Sequence, residues 1–184
     1  MLLSMGKVQE VLERAQYALK IKTTRLLTDF AFNNLTIGKA QMFLENFTES
    51  EKYLTQAVDG LRKAGTQHYL PWGLLARAIL YKHLKEFLKS WADLDEAREI
   101  AEYGQMRLFQ TDYYLEAARV ILAQVEIGNP NNQFAIIEDG LEKTVSKPEM
   151  ERLFKEHVAQ AGELIEQTGY HRRDGELEEL RKTY

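Results

Sequence analysis

The most constraining feature of this 184-residue chain is a pattern of side chains that recurs every 40 residues. Large apolar residues and small residues both return at fixed offsets. The equivalent positions are Phe47, Phe87 and Ile127; Leu54, Leu94 and Phe134; Ala57, Ala97 and Ile137; and Gly38, Ala78 and Ala118. A period of this length is typical of stacked helical hairpins, in which each hairpin buries its apolar face against its neighbours. The pattern therefore predicts an all-α array whose function is binding.

The apolar spacing and the turn residues predict one domain over residues 1–184. Its predicted elements are a half hairpin over 7–21, hairpins near 25–65, 70–104 and 111–167, and a C-terminal capping helix over 174–183. Ser4 is a candidate cap for the first helix. Pro71 suits the first turn of the second hairpin, where its missing amide would be unpaired anyway. Gly65 and Gly104 are expected to end equivalent helices.

The third hairpin departs from the repeat. Pro130 occupies the place of Ser50, where a small residue inside a helix is expected, and proline inside a helix costs about 3 kcal/mol. Two interpretations follow. Residues 133–143 form a shifted partner helix, or an inserted helix lies at 131–144 and the partner helix covers 149–167. We favour the second, because the tail then continues the spacing of the second repeat.

Composition excludes several classes of function. The net charge of −4 and the pI near 5.7 argue against a dedicated nucleic-acid binder, which usually carries a basic face. The chain has no cysteine, which excludes disulfides and thiolate metal sites and fits a reducing compartment. Apolar stretches are interrupted by charges well before the roughly 20 residues that a membrane span needs. We expect a cytoplasmic protein with neither a nucleic-acid nor a membrane partner.

No pattern of residues predicts catalysis or a cofactor. His157 follows Glu156 without the HExxH spacing of zinc enzymes, and a zinc site needs three or four close ligands. Acidic residues mostly stand three or four positions from basic ones, as Glu49 does from Lys52, which is typical of a solvated helix face. We expect a protein that is not an enzyme and that carries no catalytic residues, metal or cofactor.

The polar tail sequence from Gly169 to Asp174 is interpreted as structural. Gly169 is expected to end one helix, Tyr170 to pack against the array, and Asp174 to cap a short final helix that carries Leu177 and Leu180. A polar final helix would also cover the exposed end of a stacked array.

The repeat resembles the tetratricopeptide pattern. That family places small residues where the two helices of a hairpin touch, which allows a close approach of the backbones. The matching residues here are Gly38, Ala78 and Ala118 on the first helices and Ser50 and Ser90 on the second. The resemblance implies a right-handed superhelical array.

Longer segments resemble the C-terminal tetratricopeptide arrays of bacterial signal-transducing ATPases with NACHT or NB-ARC modules. The segments are VDGLRKAG at 58–65, LPWGLLARA at 70–78, DLDEA at 93–97 and TGYHRRD at 168–174. In that family the array is a sensor or scaffold, and an upstream domain binds the nucleotide. These 184 residues contain no GxxxxGK[ST] phosphate-binding loop. The resemblance implies the non-catalytic end of a larger signalling protein, or a separate relative of it.

In tetratricopeptide proteins the first helices of successive hairpins line a concave surface, and this implies a partner-binding face. The residues expected on that face are Phe32, Lys39, Met42, Trp72, Ile79, Lys82, His83, Asp112 and Arg119. Aromatic anchors mixed with cations suit a peptide or helix that carries apolar and acidic groups. We expect a scaffold that binds a partner protein or peptide, or an upstream ATPase domain of its own polypeptide. A ligand-sensing regulatory domain is the alternative, and the oligomeric state stays open.

Overall fold

The structure, a computed structural model, describes residues 5–20 and 27–183. The predicted cap at Ser4, the predicted end of the half hairpin at residue 21 and the predicted start of the first hairpin near residue 25 lie outside the described residues. The α-helices are α1 Met5–Lys20, α2 Leu27–Phe43, α3 Phe47–Lys63, α4 Leu70–His83, α5 Phe87–Tyr103, α6 Arg107–Ile127, α7 Lys147–Thr168 and α8 Asp174–Arg181. The strands are β1 Gln133–Glu138 and β2 Leu141–Ser146, and short 3-10 turns cover Gln67–Tyr69 and His171–Arg173.

The chain divides into two compact units, with the division between Leu80 and Tyr81 inside α4. In the first unit α2 packs against both α1 and α3. In the second unit α6 packs against α5 and α7, and α8 packs against α7 and α6. Helices that follow one another in the sequence are thus neighbours within each unit, and the predicted all-α helical array is confirmed for the eight described helices. The right-handed sense of the array stays a prediction.

The 40-residue repeat contains a step of 20 residues. Successive helical elements begin at Phe47, Gln67, Phe87 and Arg107. The second residue after each preceding helix has a positive φ, at Glu45 (60°), Gly65 (65°), Lys85 (62°) and Gln105 (51°). The amide of the next residue then reaches the carbonyl five positions back, at 2.9 Å for Asn46, 3.3 Å for Thr66, 2.9 Å for Glu86 and 2.8 Å for Met106. Every helix in this series therefore ends in the same left-handed cap.

Gly104 stands at the end of α5 as predicted, but it is not the equivalent of Gly65. Gly104 has a φ of −81°, which any residue adopts, and the left-handed position of the second hairpin belongs to Gln105. The 40-residue register gives the reason, since Gly65 plus 40 is position 105. Glycine is the favoured residue at such a cap, but a side chain is tolerated at a cost of about 1 kcal/mol when the cap bonds form.

Small residues hold α2 and α3 together as predicted. A Cβ placed on Gly38 would lie 2.6 Å from Cγ of Leu54, whose side chain is fully buried. The hydroxyl of Ser50 donates a buried hydrogen bond of 2.9 Å to the Gly38 carbonyl. The backbones can approach this closely only because neither position carries a larger side chain.

The predicted helix over 131–144 was wrong, as was the alternative helix over 133–143. This segment is an antiparallel β-hairpin with a two-residue turn at Asp139 (φ 53°) and Gly140 (φ 72°). An Asp-Gly pair adopts the type I′ turn that matches strand twist, and Phe134 and Ile136 alternate with less buried neighbours as a strand requires. The hairpin is an insertion, and α7 is the helix that packs against α6.

The tail folds around a left-handed glycine. Gly169 (φ 69°) ends α7, and the side chains of Tyr170, Leu177 and Leu180 are buried. Asp174 is the first residue of α8 and makes no side-chain cap bond, so its capping role was wrong. Its carboxylate instead accepts a 3.2 Å contact from the His171 ring and lies in the first helical turn, where negative charge is favourable.

Replacing Gln105 by glycine should raise the free energy of unfolding by about 1 kcal/mol, because a left-handed φ is strained for a side chain. The mirror variant Gly65→Gln should lower it by a similar amount, since no atom lies near that position and only backbone strain is added. Urea denaturation measures both. Changes of the same sign in the two variants would contradict the equivalence of positions 65 and 105.

Candidate functional site

Three aromatic rings from separate segments of the first unit meet at its surface. Phe32 of α2 lies edge-on to Tyr69 and to Trp72 of α4, with centroid distances of 5.0 and 5.7 Å. Tyr69 stacks on Trp72 at 5.9 Å, and Trp72 is 45% exposed. We call these three residues the aromatic cluster. The rings contact one another and leave no room for a cation between them, so the cluster presents a surface and not a cage.

The start of α4 determines how Trp72 is displayed. Leu70 and Pro71 are both buried in the first turn and fix this end of the helix. Each further residue on a helix rotates by about 100°, so the side chain of Trp72 turns from the buried side to the surface. The 3-10 turn before α4 brings Tyr69 alongside. Sequence reasoning found Phe32 and Trp72 but missed Tyr69, which does not lie on a first helix.

The remaining predicted residues of the first unit continue the same helix faces. Lys39 lies seven residues after Phe32 on α2 and is exposed, and Ile79 lies seven residues after Trp72 on α4 and is half-buried. Positions seven apart lie on one side of a helix. Met42 follows on α2 and is also half-buried. The aromatic cluster therefore lies at one end of a surface that continues along α2 and α4 and is partly apolar.

Three other predicted residues line a groove in the second unit. The groove has a volume of about 370 Å³ and lies between the end of α4 and the C-terminal half of α6. Its lining consists of Lys82, His83, Lys85, Arg119, Leu122, Ala123, Glu126 and Ile127. The side chain of Ile127 is 52% exposed. The structure thus brings Lys82, His83 and Arg119 together beside the apolar side chains of Leu122, Ala123 and Ile127.

The cations of this groove are held by carboxylates behind it. The Lys82 ammonium lies 3.5 Å from Glu116, and the Arg119 guanidinium bonds both Glu116 and Glu176. Burial opposes the charge of Arg119, but these two carboxylates raise its pKa above the ordinary value. These ion pairs fix the positions of Lys82 and Arg119 and offset part of their positive charge. Lys85 also lines the groove and adds a third cation.

Asp112 is the predicted site residue that the structure places elsewhere. It is 9% exposed and accepts hydrogen bonds from the Arg173 guanidinium at 2.9 Å and, more weakly, from the Tyr170 hydroxyl at 3.5 Å. Burial raises the pKa of Asp112 above its usual range, against the lowering effect of Arg173. Its carboxylate docks the C-terminal tail on α6, so the prediction that it is exposed for a partner was wrong. Periodicity could not show that the tail covers this position.

His157 is a titratable group whose environment the sequence did not reveal. Its ring lies 5.8 Å from that of Tyr113 and 5.5 Å from that of Tyr114, and its Nε2 atom is buried without a hydrogen-bond partner in the described residues. Burial lowers the pKa of His157 to about 4. The imidazole is therefore neutral near pH 7 and serves the contact between α6 and α7.

Within residues 5–20 and 27–183, no three His, Asp or Glu side chains are grouped so that they could hold a metal ion. None of the helices in these ranges is both long and apolar enough to cross a membrane.

Comparisons with known proteins give no relative for this chain. No family model matches it, and neither a curated protein nor a solved structure is significantly similar to it. The site is therefore interpreted from its own geometry.

The stability of the second unit should fall as the pH is lowered. The folded pKa of His157 lies below the ordinary value of 6.5, so stability is complete above about pH 6.5 and is lost as the pH falls toward 4, where the unfolded chain binds the proton first. Between pH 7 and pH 5 the loss from this residue should be about 2 kcal/mol.

Urea denaturation of the wild type and of His157→Phe at both pH values measures this term. Subtracting the pH dependence of the variant's unfolding free energy from that of the wild type cancels the contribution of carboxylates that titrate in the same range. The difference between the two unfolding free energies at pH 7 gives the packing cost of the substitution. An identical pH dependence in the two proteins would contradict the assignment.

Proposed function

We propose that this protein is a non-catalytic interaction module that binds a partner protein or peptide. The observation that carries the proposal is the aromatic cluster, where a 45% exposed tryptophan is held by two further rings. Fixed aromatic side chains bury a large area at a small cost in side-chain entropy, and tryptophan and tyrosine dominate the binding energy of protein interfaces. The partner segment would place an apolar side chain against Trp72.

The groove of the second unit supports the same proposal from its own chemistry. Lys82, Lys85 and Arg119 stand above Leu122 and Ile127, which combines cations with an apolar floor. A segment with acidic and apolar side chains matches both features. The net charge of the chain is −4, so these cations are a local departure from its overall charge.

The resemblance to the ATPase arrays extends the proposal to the setting of the module. We propose that it is a tetratricopeptide-type array of a signalling protein in the cytoplasm, and that an upstream ATPase domain of the same polypeptide is a candidate partner. The lack of cysteine and the helical hairpins with a repeated left-handed cap support this interpretation.

Replacing Trp72 by alanine should weaken peptide binding by at least about tenfold, because truncating a central aromatic anchor typically costs about 2 kcal/mol. Peptides are first selected from a random display library on the wild type, with counter-selection on Trp72→Ala. Calorimetry then compares their affinity for the two proteins. Trp91 is buried, so changes in tryptophan emission on binding should come chiefly from Trp72.

The matched control is Tyr103→Ala, which removes an aromatic ring that is 95% exposed and lies outside the cluster. This variant should bind the selected peptides as the wild type does. Circular dichroism verifies that both variants are folded. Equal affinity of Trp72→Ala and the wild type would contradict the role of the aromatic cluster.

A ligand-sensing domain is the second candidate, and the groove favours it because Lys82, Lys85 and Arg119 would suit an anionic ligand beside apolar side chains. A small anionic metabolite that binds there should raise the melting temperature of the wild type. The rise should disappear in Arg119→Met and persist in Trp72→Ala. A rise that Arg119→Met retains would place the ligand elsewhere and count against this candidate.

A further inference from the structure

The outer edge of β2 exposes backbone hydrogen-bonding groups. The type I′ turn makes Glu138 and Leu141 a hydrogen-bonded pair, and bonded and non-bonded pairs alternate from there along the hairpin. The bond of 3.0 Å from the Lys147 amide to the Asn132 carbonyl fits this alternation. The amides and carbonyls of Glu142 and Thr144 therefore point away from β1, and no described residue pairs with them.

The opposite edge of the hairpin lies against α5 and α6. The Ala135 carbonyl points outward from β1 and accepts a hydrogen bond of 3.1 Å from the side chain of Gln124 on α6. The side-chain Oε1 atom of Gln124 in turn accepts a hydrogen bond of 2.8 Å from the Trp91 indole N–H. Since α5 also packs against β1, we expect a strand added to this hairpin to pair at the β2 edge, which no described element covers in this way.

The open edge is rigidly presented. The Asp95 carboxylate accepts hydrogen bonds from the turn amides of Asp139 at 3.1 Å and Gly140 at 2.8 Å, and Arg98 bonds Asp139 at 2.6 Å. Phe134, Ile136 and Val145 are buried beneath the hairpin. A strand that pairs with β2 therefore meets a preformed template and pays little to order it.

The usual protections of an edge strand are weak here. Such edges are commonly protected by a lysine, a proline, a bulge or a covering element. β2 contains no proline, its register with β1 is unbroken, and residues 141–144 are exposed. Its only lysine, Lys143, is held across the hairpin by Glu138 at 2.5 Å. The six-residue strand is as long as a typical strand in a sheet.

We propose that β2 pairs with β2 of a second copy of this chain, antiparallel about a two-fold axis at Thr144. Identical strands related by a two-fold axis pair only in this antiparallel sense, and the result is a four-stranded sheet across the dimer. The outward groups of each Thr144 bond those of the other Thr144, and Glu142 lies opposite Ser146 of the second copy.

Charge selects this register among the four whose two-fold axis lies at a residue from Glu142 to Val145. A two-fold axis at Lys143 would place the two copies of Lys143 opposite each other. An axis at Glu142 would place the two copies of Glu142 opposite each other. Like charges directly opposite are destabilising, whereas threonine pairs are favourable. An axis at Val145 would place Lys143 opposite Lys147. Centring on Thr144 places Lys143 opposite Val145, so of these four registers only this one has no like charges opposite each other.

The test uses the fact that residue 144 faces itself across the axis. The wild type should form dimers in sedimentation equilibrium, and T144E and T144K should each dimerise about 10-fold more weakly because identical charges meet. An equimolar mixture of T144E and T144K should restore the dimer. T48E and T48K change an exposed threonine of α3 and should dimerise as the wild type does.

A cysteine pair gives an independent measurement, because the chain has no cysteine of its own. T144C should form a symmetric disulfide on mild oxidation, since the Cα atoms of a bonded antiparallel pair lie about 5.5 Å apart. E142C should not, because that residue faces Ser146 of the other copy. A monomeric wild type, dimers of T144E as stable as the wild type, or equal cross-linking of the two cysteine variants would overturn the proposal.

Discussion

The second unit depends on the burial of α6. This helix buries residues on several sides, among them Tyr113, Leu115, Ala118 and Ile121. A helix that is apolar around most of its circumference must be covered on all of those sides. The preceding helix, the following helix and the tail each cover part of it. Such a helix cannot end an array, which explains why the chain continues past it.

Polar groups on α6 decide what lies at each covered position. Gln124 bonds both Trp91 and the backbone of β1, Asp112 bonds Arg173 of the tail, and Arg119 reaches Glu176. A buried polar group costs free energy unless its partner is present, so these contacts specify their partners more strictly than apolar packing does. The bond from Arg119 to Glu176 also fixes the position of one cation of the groove, which connects the packing of the unit to its proposed function.

The sequence predicted the helical elements well because their signals are local and repeated. Glycine marked two of the left-handed caps, at Gly65 and Gly169. The caps at Lys85 and Gln105 carry side chains and gave no local signal. The hairpin has a local signal, the Asp-Gly pair at 139–140, but the helical repeat, extended past Pro130, predicts a helix over the same residues. For the candidate site, Phe32 and Trp72 followed from position in the repeat, whereas Tyr69 required the path of the connecting turn.

The sequence by itself determined that the chain forms helical hairpins and where most of them turn, because helix periodicity and small contact residues act over a few turns of chain. Tertiary structure alone decided which charged residues are exposed at the surface and can contact a partner. Asp112 and Arg173 are 61 residues apart, and only the folded tail brings them together and removes Asp112 from the surface. It also decided that β2 has an open edge, since an edge is defined by the strand or helix that is not beside it. Such contacts leave no periodic trace, because each partner is an ordinary polar residue in its own segment.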